Sequence, residues 1–402
     1  MKEYGLKLNG VKQMGNLLFI IAAMVFVPWL ILKITRMEKW IPLPMAQIAF
    51  GICMGPSALG QFYPELFSTV FTTPIKTGLD AIQILAISIF AFIAGIELKP
   101  KEVIAVEGNK IWSQAFNVII VPILLAGGAF MLFFDNPVWH TTERPFWQYA
   151  WGMGVATCIT AMPMLVIACK EVGLYGSDMY RKLLALVTFD DLVLWVTVAV
   201  IISMGKYAIY SGIFFAVLTV LYYTWPKILE LAGEKSYPAL TVALVLSMAA
   251  FSHWAGLHYV LGAFLAGMIT PRHTTKWNEG MAEQQMVWLM PVFFIWTGLK
   301  TSWTLDLETI LLGAIAMYII AVGTKFVGVW LAYRDQGLRV VCFKTALLQN
   351  KGLMEIFLVT MLLTANVISV NMFAAVVIMS LISTVSAVPL ARLFYKPEID
   401  NV

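Results

Sequence analysis

Long apolar runs separated by short polar loops recur from one end of the chain to the other. Most of these runs contain about 17 to 25 residues, the length that a helix needs to cross the hydrocarbon core of a bilayer. In that core every backbone N–H and C=O group must find its partner within the protein, and a helix satisfies them within one run. The pattern therefore predicts an all-α membrane protein with about thirteen transmembrane helices.

The predicted helices and the basic residues between them give an orientation. An odd number of helices puts the two termini on opposite sides of the membrane. Most of the 27 Lys and Arg residues fall in loops on the side of the C-terminus, and loops rich in basic residues stay in the cytoplasm. We therefore expect the N-terminus outside and the C-terminus in the cytoplasm. The predicted helices are Asn16–Thr35, Leu43–Leu59, Leu79–Leu98, Ile111–Phe134, Gln148–Cys169, Leu183–Met204, Tyr207–Thr224, Pro238–Trp254, Leu257–Thr270, Gln285–Leu299, Leu307–Leu331, Val341–Leu363 and Val367–Arg392.

Two pairs of segments resemble each other across a distance of seven helices. FAFIAGIELK, which begins at Phe90, resembles FFIWTGLK at Phe293, and GICMGPSALG at Gly51 loosely resembles GAFLAGMITP at Gly262. Because the shift is odd, the second copy would cross the membrane in the opposite direction, as in the inverted repeats of many secondary transporters. We predict one membrane transport domain over 1–402, with a first repeat at 1–204, a connector at 205–236, a second repeat at 237–396 and no soluble regulatory domain.

The composition agrees with a membrane protein and excludes some functions. Hydrophobic residues make up 60% of the chain and charged residues 12%, with a mean hydropathy of +0.82, whereas soluble domains contain about 25% charged residues. The net charge of +4 gives no support to nucleic-acid binding. The four cysteines lie in or beside apolar runs without a CxxC motif, so we expect reduced core residues rather than disulfides or metal ligands.

Adjacent carboxylates interrupt the apolar run LVTFDDLVLW. Asp190 and Asp191 lie about 11 to 13 Å along the predicted sixth helix, at 1.5 Å per residue, which is too deep for easy contact with water. A charged side chain at such a depth is costly, and intramembrane acids mark ion or proton sites unless they form a structural ion pair. We therefore predict that the two aspartates belong to a functional site.

Two lysines and a glutamate lie at similar depths. Lys325 is about 9 Å from the cytoplasmic end of its helix, Lys351 is about 14 Å from that side, and Glu355 follows one turn later. Lys325 either extends to the cytoplasmic surface or pairs with Asp190, where its positive charge would keep that carboxylate ionised. Lys351 and Glu355 form either an intrahelical salt bridge or part of a site.

Two predicted helices contain polar, helix-weakening interruptions at equivalent places in the two repeats. TCITAMP contains Thr157, Thr160 and Pro163, and QNKGLME contains Lys351 and Glu355. An unwound segment exposes carbonyls that can replace the water shell of an ion, and its half-helix ends carry partial charges. We expect Lys351 and Glu355 to neutralise those ends. The threonines contribute to this site or only bond their own helix backbone.

These motifs resemble those of the cation:proton antiporter superfamily, in particular the branch of bacterial Kef-type and Nap-type antiporters and plant cation/proton exchangers. GICMGPSALG resembles the glycine-rich segment of that family, AFIAGIELK its F-x-x-G-x-E-L segment, and ITAMPMLVIACKEVGL its broken helix. TFDDLVLW matches the helix with two aspartates, and LGAFLAGMITP and PVFFIWTGLKT match segments of the second repeat. LLQNKGLMEIFLV is most similar to the plant form. This similarity favours K⁺ over Na⁺ as the transported cation.

The resemblance implies a sodium/proton antiporter-type fold with two crossed discontinuous helices in a six-helix core, beside a panel domain that forms a homodimer. It implies that Asp191 binds the cation or the proton, that Asp190 is its partner and that Lys325 pairs with Asp190. Asp190 and Asp191 would then hold Na⁺ or K⁺, and no cofactor is expected besides the transported ions. Membrane lipid is the other expected partner, in a bacterial cell membrane.

These features predict a secondary transporter, not an enzyme, in which a cation and a proton compete for Asp191. An empty, charged carboxylate is expensive to move through hydrocarbon, which would couple the two fluxes. With Asp190 and Lys325 both present, we expect electrogenic exchange. The alternatives are an ion channel or non-coupled carrier on the same fold and an intramembrane aspartyl protease. A protease dyad needs facing carboxylates, whereas helix neighbours point about 100° apart.

Overall fold

The structure is a computed structural model that describes residues 2–37, 43–97, 110–141, 143–203, 208–271, 280, 284 and 287–395. Helices separated by short connections make up this part of the chain. No β-strand occurs in these residues, and the predicted all-α fold is confirmed. The helices are α1 Lys2–Thr35, α2 Leu43–Cys53, α3 Leu59–Phe62, α4 Pro64–Val70, α5 Thr73–Glu97, α6 Lys110–Phe133, α7 Phe146–Cys158, α8 Met162–Glu171, α9 Asp178–Ser203, α10 Ala208–Ala232, α11 Tyr237–Trp254, α12 Tyr259–Ile269, α13 Met290–Lys300, α14 Leu307–Tyr333, α15 Leu338–Leu348, α16 Leu353–Thr364 and α17 Val370–Phe394.

Seven helices of the described residues are long and apolar enough to cross a membrane: α1, α5, α6, α10, α11, α14 and α17. Every predicted segment overlaps at least one observed helix, but some boundaries differ. The predicted helix that begins at Leu43 ends at Cys53, just before Gly55 and Pro56, and the short helix α4 was not predicted. Pro64 begins α4, where the N–H that proline lacks is not needed.

The two predicted interruptions divide helices that the apolar pattern alone would make continuous. The segment predicted at Gln148–Cys169 consists of α7 and α8, which are separated by residues 159–161. The segment predicted at Val341–Leu363 consists of α15 and α16, which are separated by residues 349–352. Both unwound segments are buried, so their backbone groups depend on partners from other elements.

The chain divides into two compact units, and neither is continuous in sequence. Unit 1 contains residues 1–97 and 205–302, and unit 2 contains residues 98–204 and 303–402. Each unit therefore combines residues from both predicted repeats. The division into repeats stays a prediction, and every predicted site residue lies in unit 2.

Unit 1 depends on close contacts between helix backbones. In this unit α2 packs against α13, and α5 packs against α12. A Cβ atom at Gly298 of α13 would lie 2.3 Å from the carbonyl oxygen of Ile48, and one at Gly267 of α12 would lie 2.1 Å from that of Phe92. The predicted repeat relates α2 to α12 and α5 to α13. It therefore relates the packed pair α2–α13 to the packed pair α12–α5.

Unit 2 has its own close contacts. A Cβ atom at Gly154 of α7 would lie 2.5 Å from the carbonyl oxygen of Ile123 in α6, and one at Gly328 of α14 would lie 2.3 Å from that of Asn117. Asn117 belongs to a π-helical turn at Phe116–Ile120 within α6. These glycines bring α7 and α14 against α6 at the level of the unwound segments.

All four cysteines are free thiols, but they do not all belong to the core. Cys158 and Cys169 are buried, Cys342 is partly exposed and Cys53 is exposed. The prediction of a core position is therefore wrong for Cys53. Its helix, α2, is short and ends at this residue, so the side chain lies at the edge of the packed region.

We predict that Gly298→Ala destabilises the protein by about 1 to 3 kcal/mol, the usual cost of forcing an extra group into a packed contact. The Cβ atom would collide with backbone atoms of α2, which cannot rotate away. The measurement is the thermal unfolding midpoint of the purified protein in detergent.

Gly212→Ala in α10 is the matched control, because a Cβ atom at Gly212 would meet nothing within 4 Å. Replacement of an exposed helical glycine by alanine is expected to stabilise by about 0.5 to 1 kcal/mol. An equal effect of the two substitutions would contradict the proposed importance of the α2–α13 contact.

Candidate functional site

The two unwound segments of unit 2 are bonded directly to each other. The backbone N–H of Ala161 donates to the carbonyl oxygen of Asn350 at 2.9 Å, and the Thr160 hydroxyl donates to that of Leu348 at 2.7 Å. A Cβ atom at Gly352 would lie 2.9 Å from the Cβ of Ala161, so only glycine allows this close approach without a shift. We call this arrangement the crossing, residues 159–161 and 349–352.

Two buried lysines bond the carbonyl groups at the end of α7. Lys351 Nζ donates to the carbonyl oxygens of Thr157 at 2.5 Å and Ile159 at 2.7 Å. Lys325 Nζ donates to the carbonyl oxygen between them, that of Cys158, at 2.7 Å. The C-terminal end of a helix carries a partial negative charge. Two ammonium groups therefore satisfy three consecutive carbonyls that the break in the helix leaves without helical partners.

Lys325 also pairs with Asp190. Its Nζ lies 3.4 Å from Asp190 Oδ2, and both side chains are almost completely buried. The backbone N–H of Thr160 donates to the same carboxylate oxygen at 3.3 Å. Asp190 Oδ1 has no hydrogen-bond partner among the described residues. The lysine therefore does not extend to the membrane surface, and it joins α9 to the first unwound segment.

A third contact of Lys325 involves the π-helical turn of α6. Its Nζ lies 3.4 Å from the carbonyl oxygen of Val118. Pro122 lies four residues later and has no N–H to donate to that carbonyl. π-Helical turns within α-helices are frequent at functional sites. The sequence analysis does not predict this contact. Pro122 is the residue that could have indicated it, because it leaves the carbonyl of Val118 without a helical donor.

Asp191 is the more accessible of the two aspartates. Its relative exposure is 8%, compared with 1% for Asp190. Neighbouring side chains on a helix point about 100° apart, so Asp191 faces a different direction from the carboxylate that pairs with Lys325. The two aspartates are therefore not equivalent.

Glu355 is fully buried in the first turn of α16. A negative charge at this place is favourable, because the N-terminal end of a helix carries a partial positive charge. Glu355 interacts electrostatically with Lys351 and lies beside the Ser380 side chain of α17. Lys351 itself lies before α16 begins, so a simple salt bridge along one helix does not describe the pair.

The two threonines of TCITAMP have different partners. Thr157 Oγ1 donates to the carbonyl oxygen of Met153 at 2.8 Å, within its own helix. Thr160 instead bonds Leu348 across the crossing, as described above. Pro163 lies in the first turn of α8, where its missing N–H is tolerated. Of the residues predicted in this motif, Thr160 is the one whose side chain connects the two segments.

Two hydroxyl groups of α17 were not predicted as part of the site. Ser383 Oγ donates to the carbonyl oxygen of Gln349 at 2.7 Å, and Thr384 Oγ1 donates to that of Lys351 at 2.8 Å. They satisfy the second unwound segment as the lysines satisfy the first. Serine and threonine are common in membrane helices, and nothing in the sequence distinguishes these two from hydroxyls that bond their own helix.

Comparison with known proteins identifies relatives of the whole membrane region. The family model described as "Sodium/hydrogen exchanger, transmembrane" matches residues 21–393. Cation/H⁺ antiporter 17 of Arabidopsis thaliana is 28% identical over 92% of this chain and 48% of its own length. The Na⁺/H⁺ antiporter NhaS4 of Synechocystis is 27% identical over 88% of this chain and 91% of its own length.

K⁺/H⁺ antiporter 1 of Saccharomyces cerevisiae is also 27% identical, over 88% of this chain and 43% of its own length. The chain thus spans about half the length of the Arabidopsis and yeast relatives. Among solved structures, the sodium proton antiporter MjNhaP1 of Methanocaldococcus jannaschii is similar with a TM-score of 0.61 at 12% identity, over 94% of this chain and 97% of that chain. This similarity supports the fold.

We predict that Thr160→Val destabilises the protein by about 1 to 3 kcal/mol, because it leaves the buried carbonyl of Leu348 without its donor. Thr157→Val is the matched control, since the helix itself already provides a donor for the carbonyl that Thr157 bonds. Both side chains are completely buried. The measurement is the thermal unfolding midpoint of each variant in detergent. Equal losses of stability in the two variants would contradict different roles for the two threonines.

A second prediction concerns Asp190 and Lys325. Removal of one partner leaves a buried charge and should cost about 3 to 5 kcal/mol. Asp190→Asn combined with Lys325→Met should therefore cost less than the sum of the single changes. The half-exposed pair Asp80–Lys300 of unit 1 is the control, for which about 0 to 1 kcal/mol is expected. The measurement is the free energy of unfolding. A loss in the double variant equal to the sum of the losses in the two single variants would contradict an interaction between Asp190 and Lys325.

Proposed function

Because the chain belongs to the sodium/hydrogen exchanger family, we propose that it is a secondary transporter that exchanges a monovalent cation for protons by alternating access. The observation that carries this proposal is the position of the buried Asp190–Lys325 pair at the crossing, with Asp191 beside it and more accessible. Unwound segments of matching helices are typical of transport sites in secondary transporters. The relatives named above are antiporters of this kind.

The charges at the crossing support competition between a cation and a proton. The site contains three acids and two lysines, and all five side chains are buried. The acids are Asp190, Asp191 and Glu355, and the lysines are Lys325 and Lys351. When all five are ionised, one negative charge remains. One monovalent cation or one proton neutralises it, and a neutral site is less costly to move through hydrocarbon than a charged one.

We assign that remaining charge to Asp191. The reason is exposure, because Asp191 is 8% exposed, compared with 1% for Asp190 and 0% for Glu355. Asp191 would hold either the cation or the proton. Thr157 supports the segment through its backbone carbonyl rather than through its hydroxyl.

Electrogenic exchange needs more than one proton for each cation. In this site the additional proton would come from the Asp190–Lys325 pair, whose ion pair must open when Asp190 is protonated or Lys325 loses its proton. Exchange through Asp191 alone would be electroneutral. The burial of the pair therefore supports electrogenic exchange.

The transported ion is Na⁺ or K⁺. The relatives include a Na⁺/H⁺ antiporter and a K⁺/H⁺ antiporter, and the plant-like segment QNKGLME favours K⁺. We propose a place in a bacterial cell membrane with the N-terminus outside, a contribution to pH homeostasis and a homodimer formed through the panel domain that the resemblance implies.

The alternative functions fit the geometry less well. An aspartyl protease needs two carboxylates that share a proton, whereas Asp190 is committed to Lys325. A channel needs a continuous open path, whereas at the crossing two segments are in direct contact through backbone hydrogen bonds. An ion channel or non-coupled carrier on the same fold is the alternative that flux measurements must exclude.

We predict that the protein in proteoliposomes dissipates a preset proton gradient when Na⁺, K⁺ or Li⁺ is added separately, with at least one of them active. Asp191→Asn should lose this exchange, because an amide can neither bind the cation through a negative charge nor release a proton. Undiminished exchange by this variant would remove Asp191 from the central role. Cation flux that leaves the proton gradient intact would identify a channel or non-coupled carrier.

Asp80→Asn in α5 is the matched control for Asp191→Asn. Asp80 is a half-exposed carboxylate of unit 1 that pairs with Lys300, so the same chemical change is made outside the site. Exchange by this variant should remain near the wild-type rate. An equal loss in both variants would show that carboxylate removal acts through folding or insertion instead of transport.

A further inference from the structure

Two connections of unit 2 are bonded to each other at the ends of α7 and α16 that lie away from the crossing. The first leads from α6 into α7, and the second leads from α16 into α17. His140 of the first forms an antiparallel bridge with Ile368 of the second. The N–H of Ser369 donates to the carbonyl oxygen of Trp139 at 3.1 Å. We call this arrangement the clasp, residues 134–141, 143–145 and 365–369.

Side chains add further bonds between the two connections. The Thr141 hydroxyl donates to the carbonyl oxygen of Asn366, and Asn366 Nδ2 donates to Glu143 Oε2 at 2.7 Å. Arg144 Nε donates to the carbonyl oxygen of Ala365 at 3.0 Å. The clasp thus ties the start of α7 to the end of α16, so a change in the clasp acts on both discontinuous helices.

His140 has both ring nitrogens opposite oxygen atoms that accept hydrogen bonds. Nδ1 lies 3.0 Å from the carbonyl oxygen of Thr141, and Nε2 lies 3.1 Å from Asp135 Oδ1. A carbonyl or carboxylate oxygen has no proton to donate, so each nitrogen must carry one. Only the doubly protonated, positively charged ring has two N–H groups. The geometry therefore selects the charged form of His140.

The other titratable groups around His140 leave this assignment unchanged. Tyr149 of α7 lies with its ring centroid 4.9 Å from that of His140, and its hydroxyl donates to a backbone carbonyl of the clasp at 3.3 Å. Glu143 and Arg144 carry opposite charges and are bonded to the second connection. Residues 365–369 include no acidic or basic side chain. Asp135 is therefore the charged group that bonds the ring.

Histidine gains and loses a proton in the range from about pH 5 to about pH 8. Loss of one proton leaves the ring with a single N–H, so one of the two acceptors loses its bond. We propose that His140 is a pH-sensitive switch that tightens the clasp in acidic solution and loosens it in alkaline solution. With the proposed orientation of the chain, the switch faces the external medium. It would regulate both discontinuous helices from outside the cation site.

The test compares the thermal unfolding midpoints of the wild-type protein and His140→Gln in detergent, at about pH 5.5 and about pH 8.5. Because the two acceptors favour the charged ring, its contribution to stability is present in acid and is lost as the pH rises. His140→Gln should lower the midpoint by about 2 to 4 °C at the acidic pH and by less at the alkaline pH. An equal or larger loss at the alkaline pH would overturn the proposal.

His253→Gln in α11 is the matched control, because His253 is an exposed histidine of unit 1. The difference between this variant and the wild type should be the same at the two pH values. A pH dependence as large as that of His140→Gln would show that the effect is not specific to the clasp. The comparison needs neither transport nor a membrane with two sides, so its outcome is separate from that of the proposed exchange.

Asp135→Asn keeps the proposal testable if His140→Gln does not fold, because the Asp135 side chain is 58% exposed. The variant removes the negative charge opposite Nε2, so it should lower the unfolding midpoint more at the acidic pH than at the alkaline pH. Asp178→Asn is matched to it, since Asp178 is an exposed aspartate of unit 2 that pairs with Arg181, and its effect should be the same at both. An effect of Asp135→Asn that does not depend on pH would also overturn the proposal.

Discussion

Hydrogen bonds from two lysines to the end of α7 are the interaction on which the rest of unit 2 depends. A helix that is interrupted inside hydrocarbon leaves carbonyl groups that water cannot reach, and each unsatisfied group costs several kcal/mol. Lys351 and Lys325 donate to the carbonyls of Thr157, Cys158 and Ile159. Because both donors are ammonium groups, they satisfy the carbonyls and the partial negative charge of the helix end together.

The acids of the site follow from these lysines. A buried ammonium group is itself expensive unless a negative charge lies nearby, and Asp190 and Glu355 provide those charges. Asp191 is the third acid of the site, and it is more exposed than Asp190. In this description the broken helix, the lysines and the acids form one electrostatic arrangement.

Much of this arrangement could be predicted from sequence, because polar residues in apolar runs are costly and therefore conspicuous. Asp190, Lys325 and Lys351 were each recognisable in this way, as were the two interruptions. The partners that complete the site were less predictable. Thr157 and Thr160 have the same residue type and lie three positions apart, yet only Thr160 bonds across the crossing. That difference depends on where α7 ends, which no single residue determines.

The strength of the lysine bonds also constrains how the site could change between its two faces. Unwinding the crossing would remove Lys351 from two carbonyls and Thr384 from a third, and each exposed group would have to be satisfied again within the bilayer. Moving the crossing as a rigid body leaves all of these bonds intact. We therefore expect alternating access to carry the two unwound segments together, with changes in bonding limited to Asp191 and to the Asp190–Lys325 pair. The 3.4 Å separation of that pair, compared with 2.7 Å from Lys325 to Cys158, agrees with a weaker contact that can open while the bond to the carbonyl is kept.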